Sequence, residues 1–276
     1  MTAVALAVAS AALFGSMTVA LRLALRGVDD AAGATLATVI VAGAVALIAA
    51  ALHPNLHGTW PFLIAGLLAP GASQILFTLA VQEVGASRTS VVVGGAPLVA
   101  VLIALGLLSE PLRLPLVVGA LAIVAGGVLL AAERDRPGHL RARGLLFAAA
   151  AAVLFASRDN LARALHTHTT PGSAAAATLI GGTLTSLVWT RRLPSGRELT
   201  RLAPAGLIFG LSYVCLFEAY FHGRVTVVSP LVATESLWGV TLSAILIRHT
   251  EGVGRRLVVG ALLVVAGGAL IGATAG

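Results

Sequence analysis

The sequence has no lysine, only one cysteine and few charged residues of either sign. Charged side chains make up 11% of the 276 residues, whereas hydrophobic ones make up 58%. A soluble globular domain carries about 25% charged residues, and no single core inside such a domain could cover this much apolar surface. The one cysteine, Cys215, cannot form an internal disulfide. The composition excludes an ordinary soluble domain and predicts an integral membrane protein.

Uncharged stretches long enough to cross a bilayer occur ten times. A helix needs roughly 20 apolar residues to span about 30 Å of hydrocarbon. The alternation of apolar and polar residues that marks a membrane β-barrel is absent, so all the spans are predicted to be helices. The predicted spans lie near residues 3–22, 33–52, 60–80, 88–108, 114–132, 144–164, 172–190, 202–221, 225–247 and 256–274.

One apolar, glycine-rich segment occurs twice in the chain. It reads VVGALAIVAGGVLL at 117–130 and VVGALLVVAGGALI at 258–271, with ten of fourteen positions identical and an offset of 141 residues. The glycines of each copy recur on one helical face, and small residues on such a face let helices approach closely in lipid. We therefore expect the fifth and tenth spans to act as a scaffold, packed near the axis that relates the two copies.

The same offset extends over the rest of the chain. It aligns LFGS at 13–16 with LFAS at 154–157, and it falls to about 139 between the third and eighth spans, where Ser73 pairs with Ser212. The chain is thus predicted to contain two copies of a five-helix unit. Because five is odd, the second copy enters the membrane from the opposite side, which is the inverted repeat of many secondary transporters. The predicted boundaries are 1–132 for the first unit, 133–143 for a charged linker and 144–276 for the second unit.

The arginines are distributed unevenly between the two faces of this topology. Fourteen fall on the connections that follow odd-numbered spans, and three (Arg113, Arg163 and Arg224) fall on the other face. Cytoplasmic connections are enriched in basic residues, so the fourteen-arginine face is predicted to be cytoplasmic. Both termini then face outward from a bacterial cytoplasmic membrane. Because the arginines lie at helix ends and not in one patch, the net charge of +7 does not indicate a nucleic-acid partner.

Charged residues inside the predicted spans are the first candidates for a functional site. A charge at the bilayer centre costs about 2.5–3.5 kcal/mol on insertion scales, and such residues usually face a cavity or a partner. Glu235 lies near the middle of the ninth span and has no partner at i+3 or i+4, which makes it the strongest candidate. The other candidates are Glu218 near the outer end of the eighth span, and Arg158, Asp159 and Asn160 in the sixth.

Each charged candidate also has a purely structural interpretation. Asp159 is spaced i, i+4 from Arg163, and Glu218 has the same spacing from His222, so each acid could be neutralised on its own helix. The partner of Arg158 stays open among three acids, namely Asp159, Glu218 and Glu235.

Polar and aromatic side chains on four other spans and on the ninth could complete a cavity around Glu235. The two tyrosines of the eighth span are seven residues apart and suit a cavity wall. Two prolines each free a backbone carbonyl and bend the fourth and ninth spans. Serine and threonine inside a span usually bond their own helix, so they are weak evidence individually. The expected lining residues are Thr234, Trp238, Tyr213, Tyr220, Pro97, Pro230, Ser16 and Gln74.

Motifs for several other functions are missing from the sequence. There is no Walker-type phosphate loop, so ATP is not the expected energy source, and there is neither an HExxH metal motif nor a GxSxG nucleophile elbow. We therefore predict no enzyme activity, no cofactor and no metal. An intramembrane enzyme or a non-transporting membrane sensor is the alternative interpretation.

Two further motifs carry a family resemblance. ALFGS at 12–16, and SEPL at 109–112 followed by the first glycine-rich segment, resemble EamA-type transporters of the drug/metabolite transporter superfamily. The resemblance covers essentially the whole chain and implies ten helices in two inverted repeats. It also implies export of small organic metabolites or drugs by alternating access around a central cavity. One departure is ESLW at 235–238, where many relatives are similar to the APL of the first half.

The partners implied by this resemblance are a small-molecule substrate and the lipid bilayer. Protons are the candidate coupling ion, with Glu235 as the group that carries them. Both a monomer and a homodimer stay open.

The predicted topology can be tested with a reporter fused after Gly276. Because fourteen arginines lie on the opposite face, the C-terminus should be periplasmic. Alkaline phosphatase at this position should be active and green fluorescent protein should be dark. An active cytoplasmic reporter would reverse the orientation without changing the number of spans.

Overall fold

The computed structural model describes residues 2–26, 30–96, 98–99, 114–131, 143–165, 169–223, 228, 231–247 and 254–274. Every regular element in these ranges is a helix, as predicted. The helices are α1 (Thr2–Ala24), α2 (Ala31–Leu52), α3 (Trp60–Gly66), α4 (Ser73–Val84), α5 (Ala86–Val93), α6 (Leu114–Ala131), α7 (Arg143–Ala164), α8 (Pro171–Thr190), α9 (Gly196–His222), α10 (Glu235–Leu246) and α11 (Arg255–Thr274), with a π-helical segment (Leu67–Ala72) between α3 and α4.

Five helical stretches of the described chain are long and apolar enough to cross a membrane. All five coincide with predicted spans, and the chain is accordingly a multi-pass membrane protein. The count of ten spans remains a prediction. The five stretches are Ala3–Ala24, Ala31–Leu52, Trp60–Val84, Arg143–Ala162 and Gly196–His222.

The third predicted span, 60–80, is bent at its centre. Pro70 lies inside the π-helical segment, and Ala69 before it has non-helical backbone angles of φ −141° and ψ 111°. Proline lacks the N–H that would continue the helix, so backbone carbonyls near it lose their usual donor. The hydroxyl of Thr185 on α8 donates to the carbonyl of Leu67 at 2.9 Å. A side chain of the other half thus satisfies one carbonyl of the bent backbone.

The fourth and ninth spans are interrupted at equivalent places. α5 ends at Val93 and is followed by a turn at Gly94–Gly95, whereas α10 begins at Glu235 after a turn at Ala233–Thr234. These turns are 139 residues apart, the offset that also relates the third and eighth spans. Bends had been predicted in both spans from Pro97 and Pro230, which lie outside the described residues.

The interhelical contacts repeat when the two halves are exchanged. α1 packs on α9 as α4 packs on α7, and α1 packs on α10 as α5 packs on α7. Three further contacts join a helix to its own counterpart: α2 with α8, α5 with α10 and α6 with α11. Among the described helices, the contacts are thus related by exchange of the two halves of the chain.

Glycines allow α6 and α11 to touch along their backbones. A Cβ at Gly126 would lie 2.7 Å from the carbonyl oxygen of Gly260, and one at Gly267 would lie 2.5 Å from that of Gly119. Both distances are far below a normal contact. The repeated segment therefore packs on its own copy, through the small residues that both copies supply.

A reciprocal pair of serines joins α1 to α9. The Ser10 hydroxyl donates to the carbonyl of Ser212 at 3.0 Å, and the Ser212 hydroxyl donates to the carbonyl of Ser10, also at 3.0 Å. The two hydroxyl oxygens are 3.1 Å apart, and both side chains are buried. Such interhelical bonds contribute about 0.6 kcal/mol each in membrane proteins.

Gly267→Ala should destabilise the protein because the added methyl group would collide with the backbone of Gly119. We expect a loss of about 1–3 kcal/mol, typical of overpacking, seen as a lower thermal unfolding temperature in detergent. Gly43→Ala is the matched control, since a Cβ at Gly43 meets no atom within 4 Å. Alanine is the better helix former, so this control should unfold at the same temperature or higher. Equal effects of the two changes would contradict close packing of α6 on α11.

Candidate functional site

A cavity lies among five helices drawn from both halves. Its free volume is about 40 Å³, enough for water but too small for an organic metabolite. The first residue of α10 contributes Glu235, and the segment just beyond α5 contributes Ala96. The full lining comprises Ser10, Phe14, Val93, Ala96, Phe155, Arg158, Asp159, Ser212, Tyr213, Leu216, Tyr220, Val232, Ala233 and Glu235.

The guanidinium group of Arg158 is held from several directions. Its Nε and Nη2 donate to Oδ1 of Asp159, at 2.9 and 2.5 Å, and its Nη1 donates to the hydroxyl of Tyr213. The guanidinium carbon also lies 4.8 Å from the ring centroid of Tyr213 and 5.4 Å from that of Phe155. Aromatic faces attract cations, most strongly where water is absent. Arg158 is 6% exposed, so these contacts replace its hydration.

Asp159 is the partner of Arg158 in this structure. Adjacent residues on a helix normally point in different directions, and the pair forms because the long arginine side chain folds back over the carboxylate. Tyr220 lies two helical turns beyond Tyr213 on α9, and its hydroxyl is also close to Asp159. Of the three acids considered for Arg158, the structure pairs it with this one and with neither Glu218 nor Glu235.

Glu235 faces the same cavity without a bonded partner. It is 5% exposed, and its carboxylate makes no hydrogen bond or ion pair with any residue that the structure describes. Arg158 and Asp159 are both close enough to act on it electrostatically, with opposite signs. As the first residue of α10 it also lies at the positive end of a helix dipole. Among these three groups the charges therefore sum to minus one when Glu235 is ionised and to zero when it is protonated.

Phe14 and Phe155 form an aromatic layer at the cavity. They are counterparts in the repeat, and their rings meet edge to face with centroids 6.0 Å apart. Phe77 on α4 contacts both, at 5.2 and 6.3 Å. The matching LFGS and LFAS motifs thus place one phenylalanine from each half at the interface between the halves.

Three predicted lining residues instead bond their own helices. The Ser16 hydroxyl donates to Ala12, the Asn160 amide to Ala156 and the Thr234 hydroxyl to Leu231, each through a backbone carbonyl. This is the usual local role of such side chains within a helix, and none of the three lines the cavity.

The remaining predicted residues, Pro230 included, lie away from the cavity or outside the described chain. Trp238 is 42% exposed, and its Cβ packs on Gly15. Glu218 lies 3.3 Å from His222 on its own helix, with both side chains partly exposed. Gln74 is fully buried elsewhere. Pro97 and the side chain of Arg163 are not among the described parts, so the predicted Asp159–Arg163 pair lies outside them as well.

Some lining residues were missed by the sequence analysis. Ser10 and Leu216 carry no signal in the sequence, because an isolated serine or leucine is common in any apolar span. Ser212 had a signal, namely its alignment with Ser73. Phe14 and Phe155 had the clearest signal, since they are the matching aromatic positions of a motif that occurs in both halves.

Ion pairs join the two halves on the face predicted to be cytoplasmic. Arg192 bridges Asp30 at 2.6 Å and Glu198 at 2.6 Å, and Arg143 pairs with Glu83 at 2.5 Å. Partial burial opposes ionisation of Asp30, but the Gly33 N–H and the Arg192 guanidinium outweigh it and hold the pKa of Asp30 below its usual value. These pairs are solvent-exposed to varying degrees, so each contributes little to stability alone.

Comparison with known proteins identifies relatives at the level of family and fold. A family model described as the EamA-like transporter family matches residues 1–132 and 142–273, which correspond to the two copies of the repeat. A solved structure titled "Crystal structure of protein" is similar with a TM-score of 0.69 and 23% identity, over 97% of this chain and 95% of that chain. At that identity the likeness concerns the fold alone. Comparison with curated proteins finds no match.

Asp159→Asn and Glu235→Gln should differ sharply in stability. The first removes the only acid that is hydrogen-bonded to Arg158 among the described residues and leaves only the unbonded Glu235 nearby, which should cost about 3–5 kcal/mol. The second breaks no described bond and removes a buried charge, so its thermal unfolding temperature in detergent should be unchanged or higher. Adding Arg158→Leu to Asp159→Asn should restore part of the loss. A larger loss for Glu235→Gln would make Glu235 the structural counter-ion instead.

Proposed function

This chain belongs to the EamA-like transporter family, and on that premise we propose that it is a secondary transporter that exports small organic molecules by alternating access. The observation that carries the proposal is the carboxylate of Glu235, which has no bonded partner among the described residues, in a cavity shared by the two halves. Its place in the cell would be the bacterial cytoplasmic membrane, with both termini outside.

Glu235 has the properties required of a coupling group. An ionised carboxylate in an apolar site is costly, and protonation or a cationic ligand relieves that cost. Arg158 is already neutralised by Asp159, so it leaves Glu235 available. A proton and a cationic group on the substrate would therefore compete for the same carboxylate, and exchange of one for the other couples export to the proton gradient.

The rest of the lining suggests the kind of substrate. Phe14, Phe155 and two tyrosines supply an apolar, aromatic wall beside the acid. This combination suits a small molecule with an apolar body and one cationic group. The free volume of about 40 Å³ would have to increase on binding, and the interrupted helices beside the cavity are the elements that can move to allow it.

The first experiment is a thermal-shift screen of the purified protein against amino acids, nucleosides and cationic drugs. A ligand present at 100 times its dissociation constant stabilises a protein by about 2.7 kcal/mol. The expected result is stabilisation by cationic amphipathic compounds, weaker as the pH falls because protons compete for Glu235. Stabilisation only by anionic compounds would contradict the proposed substrate class.

The second experiment measures coupling in proteoliposomes with a compound found in the screen. Glu235→Gln cannot release or take up a proton and no longer pairs with a cationic group, so gradient-driven accumulation should disappear while exchange of substrate down its own gradient continues with a lower apparent affinity. Glu218→Gln is the matched control, because Glu218 is partly exposed and pairs with His222 away from the cavity. It should transport like the wild type. Normal gradient-driven transport by folded Glu235→Gln would sink the coupling role.

A further inference from the structure

Two buried polar side chains on α4 have no bonding partner among the residues that the structure describes. Ser73 and Gln74 are both fully buried. Neither the Ser73 hydroxyl nor the two polar atoms of the Gln74 amide makes a hydrogen bond within the described part of the chain. Unmet hydrogen-bonding groups in an apolar interior are costly. Their presence here calls for explanation, and a second state of the protein in which they are satisfied would supply one.

The repeat relates these two residues to the lining of the cavity. The offset of 139 residues pairs Ser73 with Ser212 and Gln74 with Tyr213. Both counterparts line the cavity, and both are bonded, Ser212 to Ser10 and Tyr213 to Arg158. The corresponding residues of the first half, Ser73 and Gln74, are buried, and their side chains make no hydrogen bond among the described residues.

The position of α4 agrees with a second path into the cavity. Phe77 lies one helical turn beyond Ser73, on the same face, and its ring contacts Phe14 and Phe155 of the cavity wall. α4 packs on α7 as α1 packs on α9. The repeat places Ala151 where Ser10 stands, so the contact between α4 and α7 lacks the serine pair that joins α1 to α9.

We propose that Ser73 and Gln74 line the substrate path in a second conformation, in which α4 and α7 separate and the cavity opens to the face that carries Glu83 and Arg143. The α1–α9 and α4–α7 contacts are both closed in this structure, and in an inverted repeat each of the two open states separates one of them. Separation of α4 from α7 would expose Ser73 and Gln74, the counterparts of Ser212 and Tyr213. The proposal rests on the proposed function in one respect, that the protein alternates between two states.

The ion pair between Arg143 and Glu83 lies at the mouth of this second path. Arg143 is the first residue of α7, and Glu83 is next to the last residue of α4. Arg22 of α1 also donates to the carbonyls of Val81 and Gln82, at 3.0 Å each. These contacts hold the C-terminal end of α4 in place and have to loosen before the path opens.

Cysteine labelling tests the proposal without a known substrate. In a Cys215→Ser background, Gln74→Cys and Ser73→Cys are treated with a membrane-impermeant maleimide in vesicles of each orientation. Thr200→Cys at the exposed start of α9 and His57→Cys in the exposed α2–α3 connection mark the two faces. Thr178→Cys is the buried control, since Thr178 is fully buried and its hydroxyl bonds Ala174.

Both test cysteines should react from the side that labels Thr200→Cys, and Thr178→Cys should not react. Adding Arg143→Gln should raise the labelling rate of Gln74→Cys severalfold, because it removes the ion pair at the mouth. Failure of both test cysteines to react, in protein that elutes as a single folded peak, would mean that trapped water satisfies these groups and would overturn the proposal. Reaction only from the His57 side would overturn it as well.

The outcomes separate this proposal from the proposed function. Normal labelling with no transport of any compound would support alternation and reject the assigned activity. Glu235-dependent transport with unreactive Gln74→Cys and Ser73→Cys would retain the activity and reject this path.

Discussion

Arg158 carries its charge into the interior of an apolar helix bundle, where no bulk water can solvate it. Removing a guanidinium from water is tolerable only if fixed groups replace its hydration. Asp159 supplies the opposite charge, Tyr213 supplies an acceptor, and two aromatic faces cover the cation. These requirements fix the rotation of α7 against α9 and so define two walls of the cavity. Because Asp159 neutralises Arg158, Glu235 is left as the acid of this cavity without a bonded counter-charge among the described residues.

Close backbone contact is the second requirement, because lipid offers no hydrophobic drive for one helix to leave it for another. Glycines meet this requirement where α6 passes α11 and where α3 passes α8. A Cβ at Gly181 would lie 2.1 Å from the carbonyl of Leu63, and one at Gly66 would lie 2.1 Å from that of Thr178. The backbones of these four helices are thereby packed tightly. By contrast, the fourth and ninth spans are interrupted beside the cavity, after α5 and before α10. Close backbone packing and the interruptions beside the cavity therefore occur in different helices.

The architecture could be read from the sequence because membrane insertion imposes rules on composition. Apolar length predicted the helices, and the glycines of the repeated segment predicted close helix packing, although not that α6 would contact α11. Glu235 stood out for a similar reason, since a midspan acid without a local partner is rare. The family was also identifiable from short motifs. These inferences depend on the free-energy cost of placing a single polar or charged residue in an apolar surrounding, and that cost does not depend on the particular neighbours.

Details that depend on three-dimensional neighbours could not be predicted. Nothing local distinguishes Ser16, which bonds its own helix, from Ser10, which bonds α9. The spacing of Asp159 and Arg163 indicates a partner on the same helix face, but no local pattern shows that the adjacent Arg158 folds back onto Asp159. The bend at Pro70 is tolerated because Thr185 from the other half donates to the freed carbonyl. Each of these outcomes is decided by a residue more than 50 positions away or by a rotamer.

The serine pair between α1 and α9 has a thermodynamic consequence for a protein built from two related halves. If the halves were identical, the two mirrored conformations of the proposed alternating-access cycle would have equal free energy and equal populations. Two interhelical bonds at about 0.6 kcal/mol each, present at one contact and missing at its counterpart, would favour the conformation that keeps α1 packed on α9 roughly eightfold. In such a cycle, the difference between serine at position 10 and alanine at 151 would be enough to set the resting state.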